Sequence, residues 1–447
     1  MLGAMVYREI CIYCKNFYLA GTKNTHCMDR FQGLIGIVLI LGIAYLFSNN
    51  KKKINLRVVG SGIALQLLIA ILVLKVPAVT KFFQFLGKGM EKIEVFARKG
   101  AAFVYGGLGA YQPDGTIGNY VGGGFVFAFN VTATIILVCA LVAIFYHFGI
   151  MQRIVAVIAK AMNFVMRVSG AEALSNVASA FVGQVEAQVM IRPYLQTMTR
   201  SELLASMSGS LACIAGGILV VYANMGAQAG LDLAPKLIMA SLMAAPGALV
   251  ISKIVFPETE ESQTLGRVKL EVKSHYTNVV DAISHGAGDG FKIAMNVIAM
   301  LIGFIAVIAC LDWILIKIGH IFNPEFELSL NYIFGKIFYP FAWAMGVPMN
   351  DVDSVATLLG QKLTINEFVA FQNLTNNSVP VVSDKGLLIV SIAICGFANF
   401  SSVGMQIGGI GEIAPGRRAD LARLGLKALL CGTLASYLSA TIAGILM

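Results

Sequence analysis

Long apolar runs separated by short basic connections dominate this chain. Eight stretches are apolar over a length that spans a bilayer: residues 31–47, 56–76, 125–148, 203–223, 237–255, 293–318, 387–410 and 421–446. A helix rises about 1.5 Å per residue, so roughly 20 apolar residues cross a hydrocarbon core of about 30 Å. The pattern predicts an all-α polytopic membrane protein with about eight transmembrane helices. Residues 81–99 differ. They carry Lys81, Lys88, Lys92, Arg98 and Lys99 against Phe82, Phe83, Phe85, Leu86, Met90, Ile93 and Phe96. That mixture predicts an amphipathic helix in the membrane interface.

Two segments break the hydropathy pattern. Residues 173–195 include Ser175, Asn176, Ser179, Gly183, Gln184, Glu186, Gln188 and Arg192. Residues 346–371 include Asp351, Asp353, Gln361, Lys362, Asn366 and Glu367. Each is moderately apolar, has a carboxylate near its middle, and is long enough for two half-spans meeting at a polar tip. Both are expected to form re-entrant hairpins. Each precedes a span interrupted by small and polar residues, Ser208 to Gly217 in one case and Cys395 to Gly404 in the other. Such clusters predict broken helices, because unwound backbone at membrane depth survives only inside protein or along a wet cavity. The chain thus holds two copies of one unit, arranged as an inverted repeat, the way many secondary transporters build a site near the midplane.

A mid-membrane carboxylate costs roughly 2.5 kcal/mol or more. Glu186 and Glu367 are therefore expected to face a cavity or a ligand rather than only to bond within their hairpins. Asn399 and Ser402 lie three apart and are expected on one helix face, where both could grip a ligand; alone they would be polar groups bridging helices.

Composition agrees. The chain is 57% hydrophobic and 13% charged, about half the charge of a soluble domain. The net charge of +9 fits basic cytoplasmic loops rather than nucleic acid. Lys51, Lys52, Lys53, Arg57, Arg153, Lys160, Arg167, Arg192, Arg200, Arg417, Arg418 and Arg423 all fall on one side if both termini are outside; the basic residues of 81–99 run against that orientation. Cys139, Cys213, Cys310, Cys395 and Cys431 sit in apolar segments as small core residues. Cys11 and Cys14 form a lone CxxC, a weak metal or redox signal. Residues 1–30 form an N-terminal extension, and Met28 is a candidate start.

The hairpin residues carry a family resemblance. Gly183-Gln184-Val185-Glu186-Ala187, Ile191-Arg192-Pro193-Tyr194-Leu195, Met198-Thr199-Arg200-Ser201-Glu202-Leu203, Ile214-Ala215-Gly216-Gly217, Gly346-Val347-Pro348, Lys362-Leu363, Asn366-Glu367-Phe368-Val369-Ala370 and Phe397-Ala398-Asn399-Phe400-Ser401-Ser402 occur in this order. Together, from about residue 31 to the end, they resemble the concentrative nucleoside transporter family. The resemblance implies a homotrimer in membrane lipid, with a scaffold and a mobile part that carries the nucleoside by an elevator motion. It implies that Gln184, Val185 and Glu186 meet the nucleobase. Glu367, Asn399 and Ser402 would bind the ribose hydroxyls, and Ile218 and Phe397 would pack on the ligand. A carboxylate accepts from vicinal hydroxyls strongly, and an amide both donates and accepts at a base edge.

No cofactor is implied beyond a coupling ion. The family's sodium site maps to Ser179, Val182, Cys213, Ile214 and Gly217. Three departures from the family pattern stand out: Val185 replaces a common Thr in the base pocket, and at the sodium site Ser179 replaces a common Asn and Cys213 a Ser or Thr. A thiol is a poor ligand for a hard cation. Sodium is the first expectation and protons the alternative.

The organisation expected is an extension at 1–30, scaffold and interfacial helices over 31–125, and the first repeat over 126–256. A solvated cytoplasmic loop at 257–292 and the second repeat over 293–447 follow. The protein should reside in a bacterial inner membrane. An intramembrane enzyme is the rival class, but no HExxH, GxSxG or P-loop occurs, His147 alone is expected at a span end, and His285-Gly-Ala-Gly-Asp289-Gly lacks a preceding strand. A passive channel is the other rival, and it needs ligand rings around an axis.

Overall fold

The computed structural model describes residues 25–106, 127–262, 264, 276–323 and 328–447. Cys11, Cys14 and nearly all of the N-terminal extension lie outside the described residues, as do residue 263 and residues 265–275.

The described chain is helical. The first part contains α1 (Thr25–Leu46), α2 (Leu56–Lys75), α3 (Pro77–Tyr105) and α4 (Phe127–His147). Asn55 caps α2 by accepting from the Arg57 N–H, and α3 begins on Pro77, whose fixed φ and missing N–H suit a first helical turn. α3 is the expected amphipathic helix. Its apolar set divides: Phe83, Leu86 and Met90 pack on the core, while Phe82, Phe85 and Phe96 stay exposed. α4 turns by 77° into α5 (Ile150–Met166). The turn is made at Gly149, whose φ of +70° is open to a residue without Cβ.

The first unit continues with α6 (Gly170–Ser179), α7 (Glu186–Val189) and α8 (Arg192–Leu195). These form the two limbs of the first hairpin. The broken span follows as α9 (Arg200–Ala212) and α10 (Gly216–Gln228), then α11 (Ala234–Val255). The sequence dictates two of these starts. Ser169-x-x-Glu172 and Thr199-x-x-Glu202 both form complete capping boxes, opening α6 and α9.

α12 (Val279–Phe322) is 44 residues long. It begins fourteen residues before the apolar stretch 293–318, so the expected loop at 257–292 is shorter than its composition suggested. The Gly-rich run at His285–Gly290 is helical and packs on α4. A Cβ on Gly286 would lie 2.7 Å from the Cys139 carbonyl oxygen, and one on Gly290 2.8 Å from the Ile136 Cα. These glycines set a close helix crossing, as small residues four apart do in membranes. His285 is accordingly on a helix rather than in a loop.

The second unit adds a helix that the apolar pattern did not separate, α13 (Leu330–Ala344). The second hairpin is α14 (Val352–Thr364) and α15 (Glu367–Thr375), so its first limb starts at Val352 rather than at Gly346. α16 (Asp384–Ile394) and α17 (Phe400–Ile413) are the broken span, and α18 (Arg418–Leu446) closes the chain. The two units match in order: α5 and α13, then a hairpin, a broken span, and a long helix.

α9, α11 and α16 bury nearly every residue and, with the second half of α18, form the centre. α11 packs on α2, α9 and α18, while α12 packs chiefly on α4 at the outside. Lys253, near the end of α11, is buried and paired with Glu172 at 2.8 Å and Glu258 at 3.4 Å. Ser262 and Thr264 donate to Glu202. The described part of the expected solvated loop is thus fastened to the base of the first hairpin. The reason is electrostatic, since buried charges there need partners.

Candidate functional site

The tips of both hairpins and the breaks of both interrupted spans surround one cavity of about 610 Å³. Its near wall includes Gln184, Val185 and Glu186 from the first hairpin, and Asn366 and Glu367 from the second. Gly217, Ile218 and Tyr222 come from α10, and Phe397, Asn399 and Ser402 from the second break. The far wall is α4 and α12, with Val138, Cys139, Asp289, Ile293 and Asn296.

Each carboxylate opens the return limb of its hairpin. Glu186 is the first residue of α7 and Glu367 the first of α15. The turn before Glu186 requires Gly183, which has φ of +130° and on which a Cβ would come within 2.4 Å of a Glu186 carboxylate oxygen. Asn366 starts α15 by accepting from the Val369 N–H at 2.9 Å.

Glu367 is buried and held on both oxygens. The Asn399 amide donates to Oε2 at 2.8 Å, and the Tyr222 hydroxyl donates to Oε1 at 3.2 Å. Tyr222 in turn stacks on Phe371 with centroids 4.4 Å apart. Asn399 is not a mid-helix residue. Its backbone is extended, and its Oδ1 accepts from the Ser402 N–H at 2.8 Å, so it caps α17. Asn399 and Ser402 therefore meet through a cap rather than along a helix face. The i, i+3 spacing is common to both arrangements, which is why spacing could not separate them.

Gln184 reaches α17. Its Oε1 accepts from Gln406 at 3.5 Å, and Val185 packs where Gly409 lacks a Cβ, at a distance that a Cβ would close to 2.7 Å. Ile218 and Phe397 line the cavity as apolar walls.

The residues matched to a cation site lie just behind the first tip. The Ser179 hydroxyl donates to the Ser175 carbonyl and pairs with Ser210 Oγ, both at 2.8 Å. Cys213 Sγ points at the Asn176 carbonyl at 3.8 Å, Ile214 is fully buried, and Val182 and Gly217 border the cavity. Of these groups Ser179 offers a hydroxyl already bonded to Ser175 and Ser210, and Cys213 offers a thiol, so an oxygen cage for a hard cation would have to come from backbone carbonyls. Among the described residues, no three His, Cys, Asp or Glu side chains gather as a metal site.

Two features were missed in the sequence. Tyr222 anchors Glu367; a tyrosine four residues after Ile218 in an apolar span was the available signal. A ladder of Ser175, Ser206, Gln188 and Ser210 glues the first hairpin to α9: Gln188 accepts from Ser206 at 2.7 Å and donates to Ser210 at 2.9 Å. Its members are scattered in sequence and meet only in three dimensions.

Two polar-tipped hairpins and two broken helices converging on one cavity define a polytopic helical membrane transporter. Three family models match: "Na+ dependent nucleoside transporter N-terminus" over residues 35–108, "Nucleoside recognition" over 128–229, and "Na+ dependent nucleoside transporter C-terminus" over 236–444. The chain is 39% identical over 424 residues to an uncharacterized transporter of Haemophilus influenzae, covering 94% of this chain and 98% of that protein. It is 36% identical to the nucleoside permease NupC of Helicobacter pylori, covering 92% and 96%. It superimposes on CNTnw, in an inward-facing substrate-bound state, with a TM-score of 0.85 and 38% identity, covering 93% of this chain and 97% of that one. The chain belongs to the concentrative nucleoside transporter family, and it is a transporter rather than an enzyme.

Proposed function

We propose that this protein is a sodium-coupled symporter that imports nucleosides across a bacterial inner membrane. The observation that carries the reading is Glu367, buried at the cavity wall with Asn399 and Tyr222 on its two oxygens. A carboxylate oriented by two donors keeps lone pairs for the vicinal hydroxyls of a ribose. Ser402, beside Asn399, adds a third polar group to that wall. Gln184 and Glu186 across the cavity take the base edge, with Val185 beside them. Ile218 and Phe397 supply the apolar surfaces on which a base and sugar pack.

The coupling ion sits at Ser179, Val182, Cys213, Ile214 and Gly217. The sodium named in the family description supports sodium. Protons are the second reading, favoured by the thiol at Cys213 and by Ser179 being already engaged with Ser210. One charge moving down ~100 mV yields roughly 2.3 kcal/mol, and a tenfold ion gradient adds about 1.4 kcal/mol. One cation per solute thus supports accumulation of several hundredfold. The reading includes a homotrimer, an elevator motion of the hairpin-bearing part, and both termini outside.

Uptake of labelled uridine into liposomes under a sodium gradient, a proton gradient, or neither tests it. Concentrative uptake with sodium only supports the first reading, and with protons only the second. Equilibration alone under all conditions rejects gradient-driven transport.

A further inference from the structure

Lys362 lies in the last turn of α14, fully buried, and its ammonium has no hydrogen-bond partner among the described residues. It does not line the cavity. A sealed cation is costly unless opposite charge or dipoles surround it. Glu367 opens α15 five residues further on, and α14 packs on both α15 and α16, whose C-cap is Cys395. Two helix ends also meet there. α14 ends two residues beyond Lys362, and α16 ends at its C-cap, Cys395. Helix C-termini present unsatisfied carbonyls and favour a positive charge.

The first unit has the same crossing without the ammonium. α6 ends at Ser179, and α9 ends at its C-cap, Cys213, whose thiol faces the carbonyl of Asn176 on α6. Neither helix has a basic residue in its last turn. The two crossings adjoin back to back. The Phe397 N–H donates to the Cys213 carbonyl at 3.2 Å, and a Cβ on Gly396 would lie 2.3 Å from the Ala212 carbonyl oxygen.

We infer that Lys362 is a tethered cation, holding in the second unit the position that a free coupling cation takes in the first. It acts on the nucleoside through Glu367, whose negative charge it balances from behind, and is a positioning residue. This rests on the proposed cation at Ser179 and the proposed ribose role of Glu367. Two consequences follow. One crossing per subunit remains open to a free ion, so one charge should accompany each nucleoside. Removing the amine while leaving space should create a second cation requirement.

The test uses the full-length protein in liposomes, with uridine, sodium and methylammonium as probes. Wild type comes first: without concentrative uridine uptake the proposed function itself fails, whatever Lys362 does. Given uptake, a wild-type ratio of about one charge per uridine is expected, and two or more overturns the inference. That ratio needs no variant to fold. Lys362→Met, eluting like wild type and assayed well below its own melting temperature, should bind uridine on the order of 100-fold more weakly. Lys362→Ala should regain uridine binding as methylammonium or sodium is raised, with a steeper sodium activation curve than wild type. A Lys362→Met variant equal to wild type, or a folded Lys362→Ala variant that responds to no cation, overturns it.

Discussion

The amide of Asn399 donates to Glu367 Oε2 at 2.8 Å, joining the break of the second interrupted span to the return limb of the second hairpin. The same amide, through its oxygen, caps α17. One side chain thus starts a helix and orients the carboxylate, so the two functions cannot be separated by position. Glu367→Gln should keep the fold, because an amide can still accept from Tyr222. It should lower uridine uptake by about 100-fold, since the charge-assisted bonds to ribose are lost. Uptake and melting temperature measured on the same preparation check this, and uptake equal to wild type would remove Glu367 from the site.

Tyr222 is a softer contact. Tyr222→Phe keeps the stack on Phe371 and removes one hydrogen bond, a change of about 0.5–1.5 kcal/mol. Uridine affinity should fall by roughly 2- to 10-fold. Titration calorimetry distinguishes this from the much larger loss expected at Glu367.

Val185 is close to threonine in shape and lacks its hydroxyl. Val185→Thr should leave stability nearly unchanged and alter the uridine-to-adenosine uptake ratio by up to about tenfold, since one hydrogen bond of about 1 kcal/mol becomes available at the base. Competition uptake measures the ratio. An unchanged ratio would mean that Val185 does not face the base.

The buried pair at the hairpin base is a stability element. Lys253→Met leaves the Glu172 carboxylate buried without its cation and should cost about 3–5 kcal/mol. Adding Glu172→Gln should recover part of that loss. Thermal unfolding of the two variants in detergent tests the pairing, and equal melting of single and double variants would argue against it.

Gly286 faces α4 with no room for a side chain. Gly286→Leu should push α12 from α4 and cost about 1–3 kcal/mol from overpacking. Gly288 has open space around it, so Gly288→Leu is the control and should melt like wild type.

The hydropathy pattern alone determined the class of this protein. Apolar runs of spanning length can only be helices in lipid, because every backbone group must be bonded within the segment. Polar, Gly-rich interruptions marked both hairpins and both breaks for the same reason. The capping boxes at Ser169-x-x-Glu172 and Thr199-x-x-Glu202 are local signals as well, but the hydropathy pattern does not carry them. What the sequence could not decide was partnership. Tyr222 and Glu367 are 145 residues apart, and Lys253 and Glu172 meet only when α11 packs beside α6. The long start of α12 was hidden because Gly and Asp composition mimics a loop, and packing of its glycines on α4 overrides that propensity. Local periodicity is a property of one segment. Which buried charge faces which carboxylate depends on how segments cross, and that is set by the folded packing of the whole chain.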